Sequence, residues 1–461
     1  MRLRLDAAVV EIWSGLLGDA PGTWQPASGE LLWPGTQAYV AVAAGGGGTD
    51  EVIVNRIRII QPPVQERSQL ISLPILAEAV QSETIMALLG SREQQGVYVL
   101  ESEGTLKQLL VAEQDAAWQN EEGNATLLLH TPARASGLNS FSWVREDGTG
   151  LLVYARPFFN IQGAVGDAQG DLWWIETPQV NMDRWMLWHY DGQISRIELY
   201  MQGDSALFTQ NGGQRSPVTP VLLAVKTGDD YSLLVDTIET TSQQLYSGLY
   251  QLTMRRQPPG DDRSANALVT AVTQLLPPAA YRGPLRVSPD GAMLAYFDYD
   301  PSHPSLTSGF IAPANQLKLL MLAGEKAGAT QVVYETETRF EFLAPNLTWR
   351  GNQRLILARS RFAADESFDL DRFGAVEVRL PGAVDGVDTP QAFDYLLPNG
   401  EEIRDFAACR DGAFTLLITQ EAEGLLKLAR WRGEGQPRPL FGLPIELNRT
   451  FVCWRAPAPP P

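Results

Sequence analysis

The chain has 461 residues, 44% of them hydrophobic, with a formal net charge of -18 and a pI of about 4.7. So large an acidic excess repels phosphate backbones and argues against general nucleic-acid binding. Two cysteines, Cys409 and Cys453, with no C-x-x-C spacing, argue against a disulfide framework and against a structural zinc site.

The N-terminal "MRLRLDAAVVEIWSGLLGD" carries basic residues but no apolar h-region or small-residue cleavage site, and no apolar window long enough to cross a bilayer follows. Residues 1–30 read as an extension leading into the main domain. "TQAYVAVAA" then precedes "EVIVNRIRII", and "TIMALLG" precedes "GVYVLES" and "LKQLLVAE". Short apolar runs bounded by Gly, Asp, Asn and Pro predict antiparallel strands joined by polar turns. "AAWQNEEGNATLLLHTP" (116–132) and "FSWVREDGTGLLVYARP" (141–157) each set a turn between two such strands.

"DLWWIETPQVNMDRWMLWHY" crowds Trp173, Trp174, Trp185 and Trp188 together. Neighbouring strand residues point to opposite faces, so Trp173 and Trp174 diverge, one into a core and the other away from it. Two expectations stand for the group: packing between sheets, or an exposed aromatic rim that anchors a protein or ligand. "VLLAVKTGDDYSLLVDT" (221–237) and "SGLYQLTMRR" continue the strand pattern, while "ALVTAVTQLL" (267–276) fits a helix or a strand.

The clearest unit is "LRVSPDGAMLAYFDYDP" (285–301), followed by third and fourth strands at "QLKLLML" and "TQVVYET". "LTWRGNQRLILARSRF" (347–362) repeats the outline. Its Arg359 and Arg361 share one strand face, either as an anion contact or as a solvated face. Downstream, Asp365, Glu366, Asp369 and Asp371 supply oxygen ligands at short spacing for Ca²⁺, without the EF-hand order, and read equally as a solvated loop. "FAACRDGAFTLLITQEA" (406–422) and "LLKLARWRG" form another unit. "RTFVCWRAP" (449–457) is the first strand of a unit whose remainder is missing. The N-terminal "QAYVAVAA" and "EVIVNRIRII" are expected to complete it. The chain ends in "RAPAPPP", whose residues 457–461 form a polyproline II-like tail.

The best-aligned units recur about 60 residues apart or less, the range of propellers and solenoids. A lone four-stranded meander exposes both faces, and radial stacking covers each face with its neighbour. The expected architecture is all-β: a single β-propeller of four-stranded antiparallel blades over residues 31–456, with seven blades or alternatively eight, closed by its N- and C-terminal strands.

Ser288 to Tyr296, "SPDGAMLAY", resembles the repeat signature of TolB-type propellers, which are related in shape to WD-repeat blades. The resemblance implies a propeller, protein binding at the surface of the ring and a periplasmic or extracellular setting. It implies no chemistry. His130, His189 and His303 lie far apart without metal-ligand spacing, and no Gly-x-Ser-x-Gly elbow occurs. Two functions follow as expectations. One is a non-catalytic protein–protein interaction scaffold, with no cofactor unless Ca²⁺ binds. The other is a carbohydrate-active hydrolase or lyase using carboxylates in the central funnel. The cysteines fall at matching points of the last two units, which places Cys409 and Cys453 on neighbouring inner strands, within roughly 15 Å and bridged only if their Cα atoms come within about 6.8 Å.

Overall fold

In the computed structural model, strand backbone is described along the whole chain, and side chains are described within residues 159–439. Excepted are the stretches 166–170, 179–182, 192–196, 209–217, 227–230, 239–247, 256–266, 280–281, 303–313, 362–373, 383–387, 396–402, 408–425 and 432–436, and residues 345 and 404.

The described strands form seven sheets. Five are four-stranded antiparallel meanders in simple sequence order, spanning residues 159–204, 219–280, 285–335, 341–394 and 403–444. Before them, strands Ala117–Gln119, Thr126–Thr131, Leu138–Arg145 and Gly150–Pro157 pair in the same order. The segments 116–132 and 141–157 are therefore two halves of one meander, not two units. Gly150–Pro157 pairs in turn with Glu51–Ile60, which also pairs with Tyr39–Ala44 and with Arg2–Asp6, so this sheet grows to ten strands. The seventh sheet sets Asn448–Trp454 beside Thr84–Gly90, then Gln95–Leu100, Thr105–Ala112 and Leu70–Ser72.

The first strands define the architecture. Ala117–Gln119, Phe159–Gly166, Thr219–Lys226, Leu285–Val287, Glu341–Trp349, Ile403–Ala408 and Asn448–Trp454 each lie against the next in that order. Sheets that touch in succession along one edge and fan out from it are the blades of a β-propeller. The C-terminal strand closes the ring in antiparallel register with Thr84–Gly90, Cys453 opposite Ile85. This corrects the expected partners: 39–44 and 51–60 pair with each other, and 51–60 also pairs with Gly150–Pro157. Residues 267–276 lie within the strand Ala267–Ala280, so the strand alternative holds.

The core lies between blades because each blade is apolar on both faces. On the 159–204 blade, one face sends Trp173, Ile175, Trp185 and Leu187 into a cluster with Leu222, Leu233, Val235 and Tyr250 of the 219–280 blade. The other face packs Ile161, Ala164, Trp174, Trp188 and Tyr190. Gly163 sits at a bulge in the first strand with φ of 77°. A Cβ there would lie 2.4 Å from the Leu222 carbonyl oxygen, so only glycine allows the two first strands so close. Among the described residues, no helix is long and apolar enough to cross a membrane.

Candidate functional site

The Ser-Pro-Asp-Gly turn is built from its own side chains. Asp290 Oδ1 accepts from the Ser288 hydroxyl at 2.6 Å and from the Ala292 amide at 3.0 Å. Ser288 Oγ accepts from the Met293 amide at 2.9 Å, and Gly291 takes the left-handed φ of 71°. The turn is tied to the next blade, because the Asp290 amide donates to Asn352 Oδ1 at 3.1 Å. Trp349 Nε1 donates to the Arg286 carbonyl at 2.9 Å across the same junction.

On its other side this turn forms one wall of a cavity of about 340 Å³ between the 219–280 and 285–335 blades. Deeper in that junction, Leu234, Leu249, Leu276, Leu294, Tyr296 and Leu320 fill the space. At the turn end the lining becomes mixed. Lys226, Ser232, Gln251 and Asp290 are polar, while Leu234, Val287 and Leu322 are apolar. Lys226 pairs directly opposite Ser232, whose hydroxyl accepts from Gln251 Nε2 at 2.8 Å. The polar row thus runs across three successive strands of one blade.

Several buried and half-buried charges elsewhere are held by partners. Glu377, with no exposed surface, accepts from Arg350 Nη1 at 3.0 Å, Arg379 Nε at 2.6 Å and the Tyr395 hydroxyl at 2.7 Å. Burial alone would raise its carboxyl, but the hydrogen bonds from Tyr395 and Arg379 and the nearby guanidinium charges hold it below the usual carboxylate range. Burial and the facing carboxylate push Tyr395 up. Trp431 of the following blade completes the group, edge-on to Tyr395 at 3.9 Å and with the Arg350 guanidinium 5.8 Å from its ring centroid. Asp298 meets Lys318 at 2.9 Å and Arg282 at 3.7 Å. Burial, with Asp298 adding to it, pushes the neighbouring Tyr296 hydroxyl up to about 12.

The tryptophans do not form a rim. Trp173, Trp174, Trp185 and Trp188 are all buried. Trp173 and Trp174 do point to opposite faces, but both faces are covered because blades stack on each side. Trp188 Nε1 donates to Glu176 Oε2 at 2.7 Å, and Trp185 Nε1 donates to the Asp204 carbonyl at 3.2 Å. Trp185 lies over Gly203, where a Cβ would come within 2.2 Å of the ring.

Arg359 is held within its own junction. Its Nη2 donates to both carboxylate oxygens of Asp394 at 2.9 Å, and its Nη1 donates to the Tyr334 hydroxyl at 3.1 Å. Arg361 is half-buried beside it, and its Nε has no hydrogen-bond partner among the described residues. Asp365, Glu366 and Asp369 lie outside the described residues, and Asp371 is described only as strand backbone.

His189 is the one histidine with a described side chain. It lies between Asp171 Oδ2 at 3.0 Å and Glu198 Oε1 at 3.3 Å and stacks on Trp173 at 4.0 Å. His130 is described only as strand backbone, and His303 lies outside the described residues. The strands Ile403–Ala408 and Asn448–Trp454 lie side by side as expected. Cys409 falls just beyond the first and outside the described residues, and Cys453 is described only as backbone.

Sequence reasoning missed the cleft residues Lys226, Ser232, Gln251 and Asp290. The available signal was the repeat itself. Val287 ends the first strand of its blade at the register position where Trp349 ends that of the next blade, and Val287 lines the cavity.

No protein-family model matches the chain, and no curated protein matches it significantly. Among solved structures it is similar to the β-propeller domain of the Trilobed protease from Pyrococcus furiosus, at 8% identity and a TM-score of 0.44, covering 80% of this chain and 97% of that one. It is similar to TolB from Acinetobacter baumannii at 10% identity and a TM-score of 0.35, covering 71% and 66% respectively. It is also similar to the WD40 domain of SCAP from fission yeast at 10% identity and a TM-score of 0.35, covering 82% and 91%. Likeness at this level says nothing about activity.

Proposed function

We propose that this protein is a seven-bladed, non-catalytic β-propeller that binds another protein at the surface of its ring. The observation that carries this reading is the cleft between the 219–280 and 285–335 blades, where Lys226, Ser232, Gln251 and Asp290 line the same cavity as the apolar Leu234, Val287 and Leu322. A cleft that sets apolar side chains beside hydrogen-bonding ones suits the anchor of a protein partner. The clustered charges at Glu377, Asp298 and Arg359 support the same reading, since each is committed to partners within the fold.

The test is reconstitution with a purified partner first identified by proximity cross-linking. A stoichiometric complex on gel filtration, weakened at least tenfold by Lys226→Glu, is expected. Release of unsaturated or reducing-end products from a polysaccharide panel would instead make the protein a carbohydrate-active enzyme. A complex insensitive to Lys226→Glu would remove the cleft from the binding surface.

A further inference from the structure

Adjacent blades occupy one position differently. Val287 and Trp349 each end the first strand of a blade, paired opposite Leu294 and Leu355. Both belong to the junction with the preceding blade: Val287 packs on the cluster of Leu234, Leu294 and Leu320, and Trp349 packs with Phe297, Leu319 and Leu355. At the second junction the indole is almost wholly buried and donates to the Arg286 carbonyl of the preceding blade. At the first junction the smaller Val287 lines the cavity of about 340 Å³. By strand register, Ala224 holds in its blade the place that Arg286 holds in the next, since Ala224 pairs with Leu234 as Arg286 pairs with Ala295. Ala224 lines the cavity.

From this repeat we propose that the cleft receives an aromatic side chain, indole above all, presented by a peptide segment of a protein partner. The incoming ring takes the place beside Val287 that Trp349 fills in the neighbouring junction. It lies on Leu234, Val287 and Leu322 with its N–H toward the backbone at Ala224, while Lys226, Ser232, Gln251 and Asp290 meet the peptide that carries it. Aromatic anchors are favoured for such pockets because they bury a large area at small conformational cost. The inference rests on the scaffold reading and names the chemistry of its partner.

The test uses the full chain and N-acetyl-5-fluorotryptophanamide, observed by ¹⁹F NMR. Saturable broadening is expected. N-acetyltryptophanamide should compete, and N-acetylleucinamide should not. Val287→Trp, which supplies the plug from within, should weaken binding at least tenfold while the circular dichroism spectrum is kept. Should that variant fail to fold, Ala292→Leu narrows the same cavity from the turn and should weaken binding likewise. No saturable binding to the wild type, or binding unchanged in a folded cleft-filling variant, overturns the inference. In that case a stoichiometric partner complex would still stand, since it is read without the aromatic probe.

Discussion

At Glu377 a fully buried carboxylate sits among three guanidinium groups and a phenol, with Arg354 the most distant at 3.9 Å. Removing one partner of a buried ion pair leaves the other charge uncompensated. Glu377→Gln should therefore destabilise the protein by about 3–5 kcal/mol at pH 7, read from urea unfolding. The carboxyl is held below its ordinary range in the folded state, so the unfolded chain binds its proton more readily as acid is added. The stability it contributes is full above the unfolded value of about 4.3 and fades as pH falls through the folded one. Wild-type stability should drop more steeply below about pH 4 than that of Glu377→Gln; parallel curves would show that the contacts do not stabilise the carboxylate. His189 offers a second case. Both ring nitrogens face carboxylates, and the ring stacks on Trp173. His189→Ala should cost about 1–3 kcal/mol. A double-mutant cycle with Asp171→Ala should return a coupling above about 0.5 kcal/mol. Such partners were not legible in the sequence, because Asp171 and Glu198 lie 18 and 9 positions from His189 and only the meander's register brings them together.

Strands and turns were far more legible than contacts. The turn at Ser288–Gly291 announces itself, since Ser, Asp and Gly each do there what their chemistry favours. The apolar runs around it fall on strands Leu285–Val287 and Met293–Asp298. Alternation placed Trp173 and Trp174 on opposite faces. It could not show that both faces are covered, because that depends on the neighbouring blades. The glycines separate two local effects. Gly291 has φ of 71° and nothing near its would-be Cβ, whereas Gly163 has φ of 77° and meets the Leu222 backbone. Gly291→Ala should cost about 1–2 kcal/mol from backbone strain alone. Gly163→Ala adds a clash between first strands and should cost roughly 2–4 kcal/mol. Equal losses in thermal unfolding would mean that the close approach at Leu222 is not held in solution.

At the scale of the whole molecule, the recurring meander in the sequence led to a ring, and the ring needs a closing pair. The sequence marked Asn448–Trp454 as an incomplete blade but not its partner. Several N-terminal strands are apolar enough to pair with it, and pairing choice is decided by register and by what each strand already holds. Glu51–Ile60 is taken by Tyr39–Ala44 and Gly150–Pro157, which leaves Thr84–Gly90 for the C-terminal strand. Closure covers the two exposed faces an open fan of blades would leave. Cys453 opposite Ile85 allows a direct test. Directly opposed residues of an antiparallel pair have Cα atoms about 4.5–5.5 Å apart, within disulfide reach. The measurement is intact mass and peptide mapping after mild oxidation of Ile85→Cys in a Cys409→Ser background. Ring closure by this pair predicts one intramolecular bridge joining Cys453 to the introduced cysteine at position 85, formed in high yield at low protein concentration. A chain that stays reduced, or that links only between molecules, would contradict the closure and with it the propeller as drawn.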